Sequence, residues 1–334
     1  MSKIKIGING FGRIGRRLFR LLYDNPSIEI VAINDRADGN TLAHLLKYDS
    51  IHGIFDKDIS FSNGCLLVND REINLYQFSE PEHIPWFTHS LDLVVESTGK
   101  FKTYDLLEKH LEAGAPKVIL SVPATDDRIK TIVLGVNDEL ITGDELIISN
   151  ASCTTNNAAP MIKVVNDLCG VKQAYITTVH SYTTDQSLHD QPHPDLRRAR
   201  AAGQSIVPTT TGAAKALTKI FPKLSNAIGG CGIRVPVPNG SLTDVTLNVE
   251  RDTTIEEINE AFKTASETYL NGILEYTTVP LVSIDIVGNT NSCILDAQMT
   301  SVIGDLVKLI GWYDNETGYS ARIIDLILKI SRKS

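Results

Sequence analysis

Cysteine is scarce in this sequence: five residues in 334, at positions 65, 153, 169, 231 and 293. The number is odd and no spacing resembles CxxC or a zinc set, which excludes a disulfide framework and leaves no metal site to expect. Reduced thiols of this kind fit a cytosol. Long apolar runs are missing too, none approaching the roughly 20 residues of a membrane-spanning helix. The opening MSKIKIGING has no apolar core behind basic residues, so a cytoplasmic protein without a membrane partner is expected. Positive charge is in deficit, with 32 Lys and Arg against 40 Asp and Glu, a net charge of -8. Such a chain repels polyanions, which argues against nucleic acid as its main partner. A local basic groove still suits a small phosphorylated ligand. Low-complexity stretches, long charge runs and fixed-period repeats are absent as well.

What is there describes two domains. The 42% hydrophobic and 22% charged residues are ordinary for a globular chain, and 334 residues exceed most single cores. The first half alternates short apolar runs with helical patterns. Strands are expected at 4–9, 28–33, 91–96, 117–122, 131–135 and 146–149, and helices at 12–23 and 104–113. In the first helix Ile14, Leu18, Leu21 and Leu22 share one face. Continuous apolar strands separated by helices imply a parallel sheet covered on both faces. The second half has longer, more alternating strand candidates at 173–181, 242–250, 280–286, 292–300 and 307–313. Helical patterns lie at 153–168, 212–220, 254–269 and 318–331. That combination implies an α+β domain with a mixed or antiparallel sheet. The boundary falls near residue 150.

The run Gly10-Phe11-Gly12-Arg13-Ile14-Gly15 follows an expected strand and opens an expected helix, the context a dinucleotide fingerprint requires. Its glycines permit a tight turn and let backbone N–H groups approach a pyrophosphate at the helix N-terminus. Asp35 ends the second strand, placed to accept from a ribose 2′-OH and to repel a 2′-phosphate. Arg36 beside it is either a solvated strand-end arginine or a partner for such a phosphate. The residues therefore favour NAD while leaving dual NAD/NADP use open. Ser97, Thr98 and Gly99 follow one strand and Ser121 sits near the end of the next. Ligands bind at the carboxyl ends of parallel strands, so these are either cofactor contacts or plain turn residues.

Cys153 lies in SNASCTTN, after an apolar strand and before a helical pattern. A helix N-terminus stabilises a thiolate, the reactive form. The nearby hydroxyls and Asn156 supply donors for an oxyanion or phosphate. The other four cysteines are read as small core residues. His180 closes the strand YITTVH before a polar loop and has the right ordinary pKa for acid–base work. Pro208-Thr209-Thr210-Thr211-Gly212 precedes a helix and is either an anion site or an ordinary capped start. Arg197, Arg198 and Arg200 crowd DLRRARAAG and are read either as an anion cluster or as salt-bridging residues. Arg234, flanked by Ile and Val, is costly to bury without an anion partner.

Together INGFGRIGR, ASCTTN, TTVHSYT, DLRRARAA, PTTTGAAKA, RVPVPN and WYDNETGYS resemble, in order and spacing, the glyceraldehyde-3-phosphate dehydrogenase family over essentially the whole chain. The resemblance implies a Rossmann domain over 1–152, an α+β catalytic domain over 153–317, a C-terminal segment 318–334 returning to the first domain, and a homotetramer. It implies Cys153 as nucleophile and His180 as its base. Thr183 and Arg234, with Asp185 close by, would hold the substrate phosphate. Ser152, Thr154, Thr211 and Gly212 would hold inorganic phosphate, with Arg198 nearby. Asn9, Phe11, Gly12, Arg13, Ile14, Asp35, Ser121, Asn315 and Tyr319 match cofactor contacts.

The implied reaction is phosphorylating oxidation of glyceraldehyde 3-phosphate to 1,3-bisphosphoglycerate through a Cys153 thioester. The alternatives are an erythrose-4-phosphate dehydrogenase, against which PTTTGAAKA argues, and a non-catalytic binding protein on the same fold. The chain departs from the family pattern at Asn157, where many relatives carry a second cysteine, and at Gln191, Gly232 and Thr317.

Overall fold

The computed structural model describes residues 3–332, so positions 333 and 334 of the expected segment 318–334, and positions 1 and 2, lie outside the described residues. Contacts divide the chain into two units. One holds the residues up to Ile132, Glu139–Ala151 and those from Ser320 onward, and the other holds Val133–Asp138 and Ser152–Tyr319.

The first unit is built on a nine-stranded sheet. Its spatial order is Lys130–Thr131, Ile147–Ser149, Val118–Leu120, Leu93–Glu96, Ile4–Asn9, Ile28–Asn34, Arg71–Tyr76, Cys65–Val68, Ile59–Ser62. The first seven run parallel, and the last two add as antiparallel hairpins. Its central strands are buried along their length, as expected where helices rather than water face a parallel sheet. Helix Arg13–Leu22 buries Gly15, Leu18, Phe19 and Leu22 at helical spacing and leaves its arginines half-buried, Arg20 donating to the Leu46 carbonyl. Burial of each large apolar side chain contributes about 1.5–3 kcal/mol.

The second unit is built on a mixed eight-stranded sheet. It runs Val207–Thr209, Ile228–Val235, Val171–Ser181, Ser241–Val249, Leu306–Tyr313, Cys293–Asp296, Leu274–Thr277, with Ser301–Ile303 also pairing to Leu306–Tyr313. Residues of Ser241–Val249 alternate between buried and half-buried, the period-two pattern of a sheet with unequal faces. Helix Cys153–Cys169 lies across Val171–Ser181, Ser241–Val249, Cys293–Asp296 and Leu306–Tyr313.

Three expected strands are corrected. Of 131–135 only Thr131 is extended, in Lys130–Thr131. Beyond it the Asn137 and Asp138 side chains accept from the N–H groups of Val133 and Gly135, and Gly135 has φ +77. This polar turn chemistry outcompetes an apolar run. Segment 280–286 ends in a 3-10 turn, Ser283–Ile286, where Asp285 accepts from the Val282 N–H. Segment 292–300 is a strand only over Cys293–Asp296, because Asp296 caps the next turn by accepting from Gln298 N. Helix Gly39–Lys47, capped by Asp38, and strand Ile228–Val235, with three glycines in eight residues, went unread. Among the described residues no helix is long and apolar enough to cross a membrane.

Candidate active site

The glycine turn between Ile4–Asn9 and Arg13–Leu22 forms for a steric reason. Gly10 has φ +94, and a Cβ there would lie 2.6 Å from the Thr98 nitrogen. A Cβ on Gly15 would lie 2.2 Å from the Gly10 carbonyl. Gly12 is different: a Cβ there would meet open space, at the start of the helix where the first N–H groups have no intrahelical partner. Beside it is a cavity of about 190 Å³ lined by Asn9, Gly10, Gly12, Asp35, Arg36, Ser97 and Thr98, with Asn34, Phe78, Ser79 and Lys100. Asp35 is held there by accepting from Phe11 N at 2.7 Å and Ala37 N at 2.9 Å. A bare glycine at a helix N-terminus beside a fixed carboxylate fits a dinucleotide.

Of the other candidates, Ser97 donates to the Gly10 carbonyl at 2.6 Å and stays at the cavity. Arg13 is paired with Asp49 at 2.6 Å. Burial would raise the Asp49 carboxyl, but the N–H groups of His52 and Ile51 and the Arg13 guanidinium outweigh it and hold it down at about 2. The Phe11 side chain is buried against Phe19. Gly99 and Ser121 do not line the cavity. Gly99 turns the chain after Thr98 with φ +71, and Ser121 is buried with its N–H on the Glu96 carbonyl.

The nucleophile candidate opens helix Cys153–Cys169. Ser152 caps that helix, its Oγ accepting from Thr155 N at 3.1 Å. Strand Val171–Ser181 delivers His180, whose Nε2 lies 3.5 Å from Cys153 Sγ. The parallel register of the neighbouring strand sets Arg234 opposite His180. Arg234 Nη1 lies 2.6 Å from His180 Nδ1 and donates to the Ser181 carbonyl at 2.9 Å.

Burial pushes the Cys153 thiol up, against the pull of the Arg234 charge and the Thr154 N–H. Burial, assisted by Arg234, pushes His180 down to about 3. His180 is therefore a neutral imidazole at neutral pH; with its Nδ1–H donating to the Ser181 carbonyl at 2.7 Å, Nε2 is left to take the thiol proton as sulfur attacks a carbonyl. Burial also lowers Arg234, whose guanidinium lies against His180 and the Ser181 carbonyl.

Of the remaining phosphate candidates, Arg198 and Asp185 are brought together. Arg198 pairs with Asp185, donates to Thr209 Oγ1 at 3.0 Å and reaches the Thr210 carbonyl at 3.3 Å. Thr211 Oγ1 accepts from Ala213 N at 3.2 Å, and Gly212 precedes helix Ala213–Ile220 without a side-chain cap. Asn315 is buried, its Oδ1 accepting from Ser181 Oγ at 2.8 Å and Ser241 Oγ at 2.9 Å. Its amide nitrogen is thereby oriented away from these two donors. Tyr319 is buried. Arg200 pairs with Asp190 on the surface.

Comparison with known proteins decides the lineage. Residues 4–104 match the family described as glyceraldehyde 3-phosphate dehydrogenase, NAD binding domain, and residues 152–315 match its C-terminal domain. The chain belongs to the glyceraldehyde-3-phosphate dehydrogenase family. It is 52% identical over 332 residues to the glyceraldehyde-3-phosphate dehydrogenase of Geobacillus stearothermophilus, covering 99% of each chain. It is 50% identical over 332 residues to glyceraldehyde-3-phosphate dehydrogenase 1 of Bacillus subtilis (strain 168), again 99% of each. The enzyme of Mycobacterium avium is 48% identical over 336 residues, with 98% of this chain and 99% of that one covered.

Within this family member, sequence reasoning passed over Tyr313. Its hydroxyl bridges Thr154 Oγ1 and Thr178 Oγ1, each at 2.9 Å, and its ring stands edge-on to His180 at 6.0 Å. The signal was available, since Tyr313 sits inside WYDNETGYS. Asn157, at the position of the frequent second cysteine, is buried and donates to the Ser292 and Trp312 carbonyls. Gly232 has room for a Cβ at 3.6 Å from Thr209, and nothing in the structure explains the glycine.

Proposed function

We propose that this chain catalyses the NAD-dependent oxidative phosphorylation of glyceraldehyde 3-phosphate to 1,3-bisphosphoglycerate through a thioester on Cys153. The observation that carries the reading is the 3.5 Å contact between Cys153 Sγ and His180 Nε2 at a capped helix N-terminus. Arg234 and Thr183, with Asp185 near, hold the substrate phosphate. Ser152, Thr154, Thr211, Gly212 and Arg198 hold inorganic phosphate. Asn9, Gly10, Phe11, Gly12, Arg13, Ile14, Asp35, Arg36, Ser97, Thr98 and Tyr319 serve the cofactor, and Asn315 holds its carboxamide.

His180 takes the Cys153 proton as Sγ bonds to the aldehyde carbon, and returns it to the carbonyl oxygen to complete a hemithioacetal. Bound NAD would supply the acceptor for the hydride that leaves that carbon. His180 removes the hydroxyl proton in the same step, leaving a thioester. Phosphate oxygen then bonds to the acyl carbon, the C–S bond breaks, and Cys153 regains its proton from His180. Dividing the reaction this way replaces one high barrier by two lower ones.

The chain works in the cytoplasm as a homotetramer. Exposed Leu188, Leu196 and Ile206 within one segment support burial by further copies. The deciding experiment measures initial rates with glyceraldehyde 3-phosphate and NAD or NADP, each with and without inorganic phosphate. Phosphate-dependent NAD reduction, lost in Cys153→Ser, is the expected result. Phosphate-independent turnover with erythrose 4-phosphate preferred would overturn it.

A further inference from the structure

Three adjacent parallel strands of the first unit end in register at Glu96, Asn9 and Asn34. Their side chains form one buried relay beneath the cofactor cavity. Asn34 Nδ2 donates to Asn9 Oδ1 at 2.8 Å, and Asn9 Nδ2 donates to Glu96 Oε2 at 2.5 Å. His110 Nε2 meets the same Oε2 at 3.1 Å, and Trp86 Nε1 reaches His110 Nδ1 at 3.0 Å. The other carboxylate oxygen, Oε1, accepts from both the N–H and the hydroxyl of Thr98. Glu96, His110 and Trp86 are fully buried, and Asn9 nearly so.

The donor directions are determined. An indole N–H only donates, so His110 Nδ1 must accept, which puts the ring proton on Nε2 and aims it at Glu96. Four donors then converge on one carboxylate: Asn9 Nδ2, His110 Nε2, Thr98 N and Thr98 Oγ1. Two of the residues it holds, Asn9 and Thr98, line the cavity, as does Asn34 behind Asn9.

We propose that Glu96 is the positioning residue of the cofactor cavity, fixing Asn9 and Thr98 through its buried carboxylate while His110 and Trp86 hold that carboxylate in place. It acts through its neighbours and does not touch the cofactor. In Glu96→Gln an NH₂ group must face either the Asn9 and His110 donors or the Thr98 donors, so one side of the floor has to move. The inference rests on the reading that NAD occupies this cavity.

The test is calorimetric binding of NAD to the full-length assembled protein, together with steady-state rates. Glu96→Gln should raise the Kd and KM for NAD about tenfold, the scale of one lost buried hydrogen bond to a charge. The KM for the aldehyde and kcat at saturating NAD should stay unchanged. The sign is diagnostic, because removing a negative charge near a pyrophosphate would by itself tighten binding. His110→Gln keeps an acceptor for Trp86 and a donor for Glu96, and should bind NAD as the wild type does. His110→Phe keeps neither and should weaken binding; this pair decides the matter if Glu96→Gln does not fold. The inference is overturned if Glu96→Gln lowers only the thermal midpoint or kcat, or if the two His110 variants bind alike. Asp35→Ala separates the two layers. If it leaves NAD binding intact, the placement of the cofactor has failed; if it weakens binding while Glu96→Gln does not, the role of Glu96 has failed.

Discussion

His180 concentrates the chemistry of one residue in two measurable consequences. As a neutral base it should speed the alkylation of Cys153, so Cys153 should react with iodoacetamide at neutral pH much faster than Cys65, Cys169, Cys231 and Cys293. In His180→Asn that advantage should shrink at neutral pH and return at high pH, where the thiol ionises unaided. Equal labelling of all five thiols in the folded wild type would contradict the assignment. The second consequence concerns stability. Burial, with Arg234 assisting, takes the folded value of His180 to about 3 from 6.5. Between those values the unfolded chain binds a proton that the folded one refuses. The contribution is therefore complete above 6.5 and declines as pH falls toward 3, by up to about 1.4 kcal/mol per pH unit. Thermal midpoints of wild type should accordingly drop more steeply on acidification than those of His180→Asn, and parallel slopes would show that His180 is not buried as a neutral ring. Cys153 and His180 stood out as candidates in the sequence because each sits where an apolar strand gives way to polar residues, but only the family resemblance paired them. Tyr313 and Glu96 were not, since their roles depend on partners far away in the chain, such as Thr154 and His110.

Elements carry the next level of consequence, and the helix that opens at Cys153 is the most informative. Its cap is one side chain, Ser152 Oγ on Thr155 N. Ser152→Ala should cost about 1 kcal/mol and lower the thermal midpoint, with a slower Cys153 alkylation because the first turn frays. An unchanged midpoint and labelling rate would show that other contacts define the helix start. Elements with strong periodicity were readable to within two residues: Ile4–Asn9, Tyr104–Glu112, Cys153–Cys169 and Leu306–Tyr313. Those that failed share a cause. In 131–135, 280–286 and 292–300, apolar content suggested strands, while Asn137, Asp138, Asp285 and Asp296 bound nearby backbone N–H groups and turned the chain. Strand Ile228–Val235 erred the other way. Its glycines weaken any strand reading, yet two flanking strands pair with it and supply the ladder that local preference does not.

At the scale of the whole molecule, the proposed tetramer would cover the exposed Leu188, Leu196 and Ile206. Light scattering should return about four times the 36.6 kDa chain mass, and Leu196→Asp with Ile206→Asp should reduce it. A monomer at working concentration would remove the tetramer from the account. The two-unit division has an outcome of a different kind. The first unit is assembled from both ends of the chain, since the residues from Ser320 onward belong to it and bring the buried Ile323, Leu326, Ile327 and Ile330. A chain growing on the ribosome presents its dinucleotide fingerprint well before the helix that completes the same unit. Nascent chains stalled short of Ser320 should therefore leave residues 4–151 open to protease, becoming resistant only once the last helix has cleared the exit tunnel. Synthesis runs in one direction, so the early strands of this unit should wait for the segment from Ser320 onward.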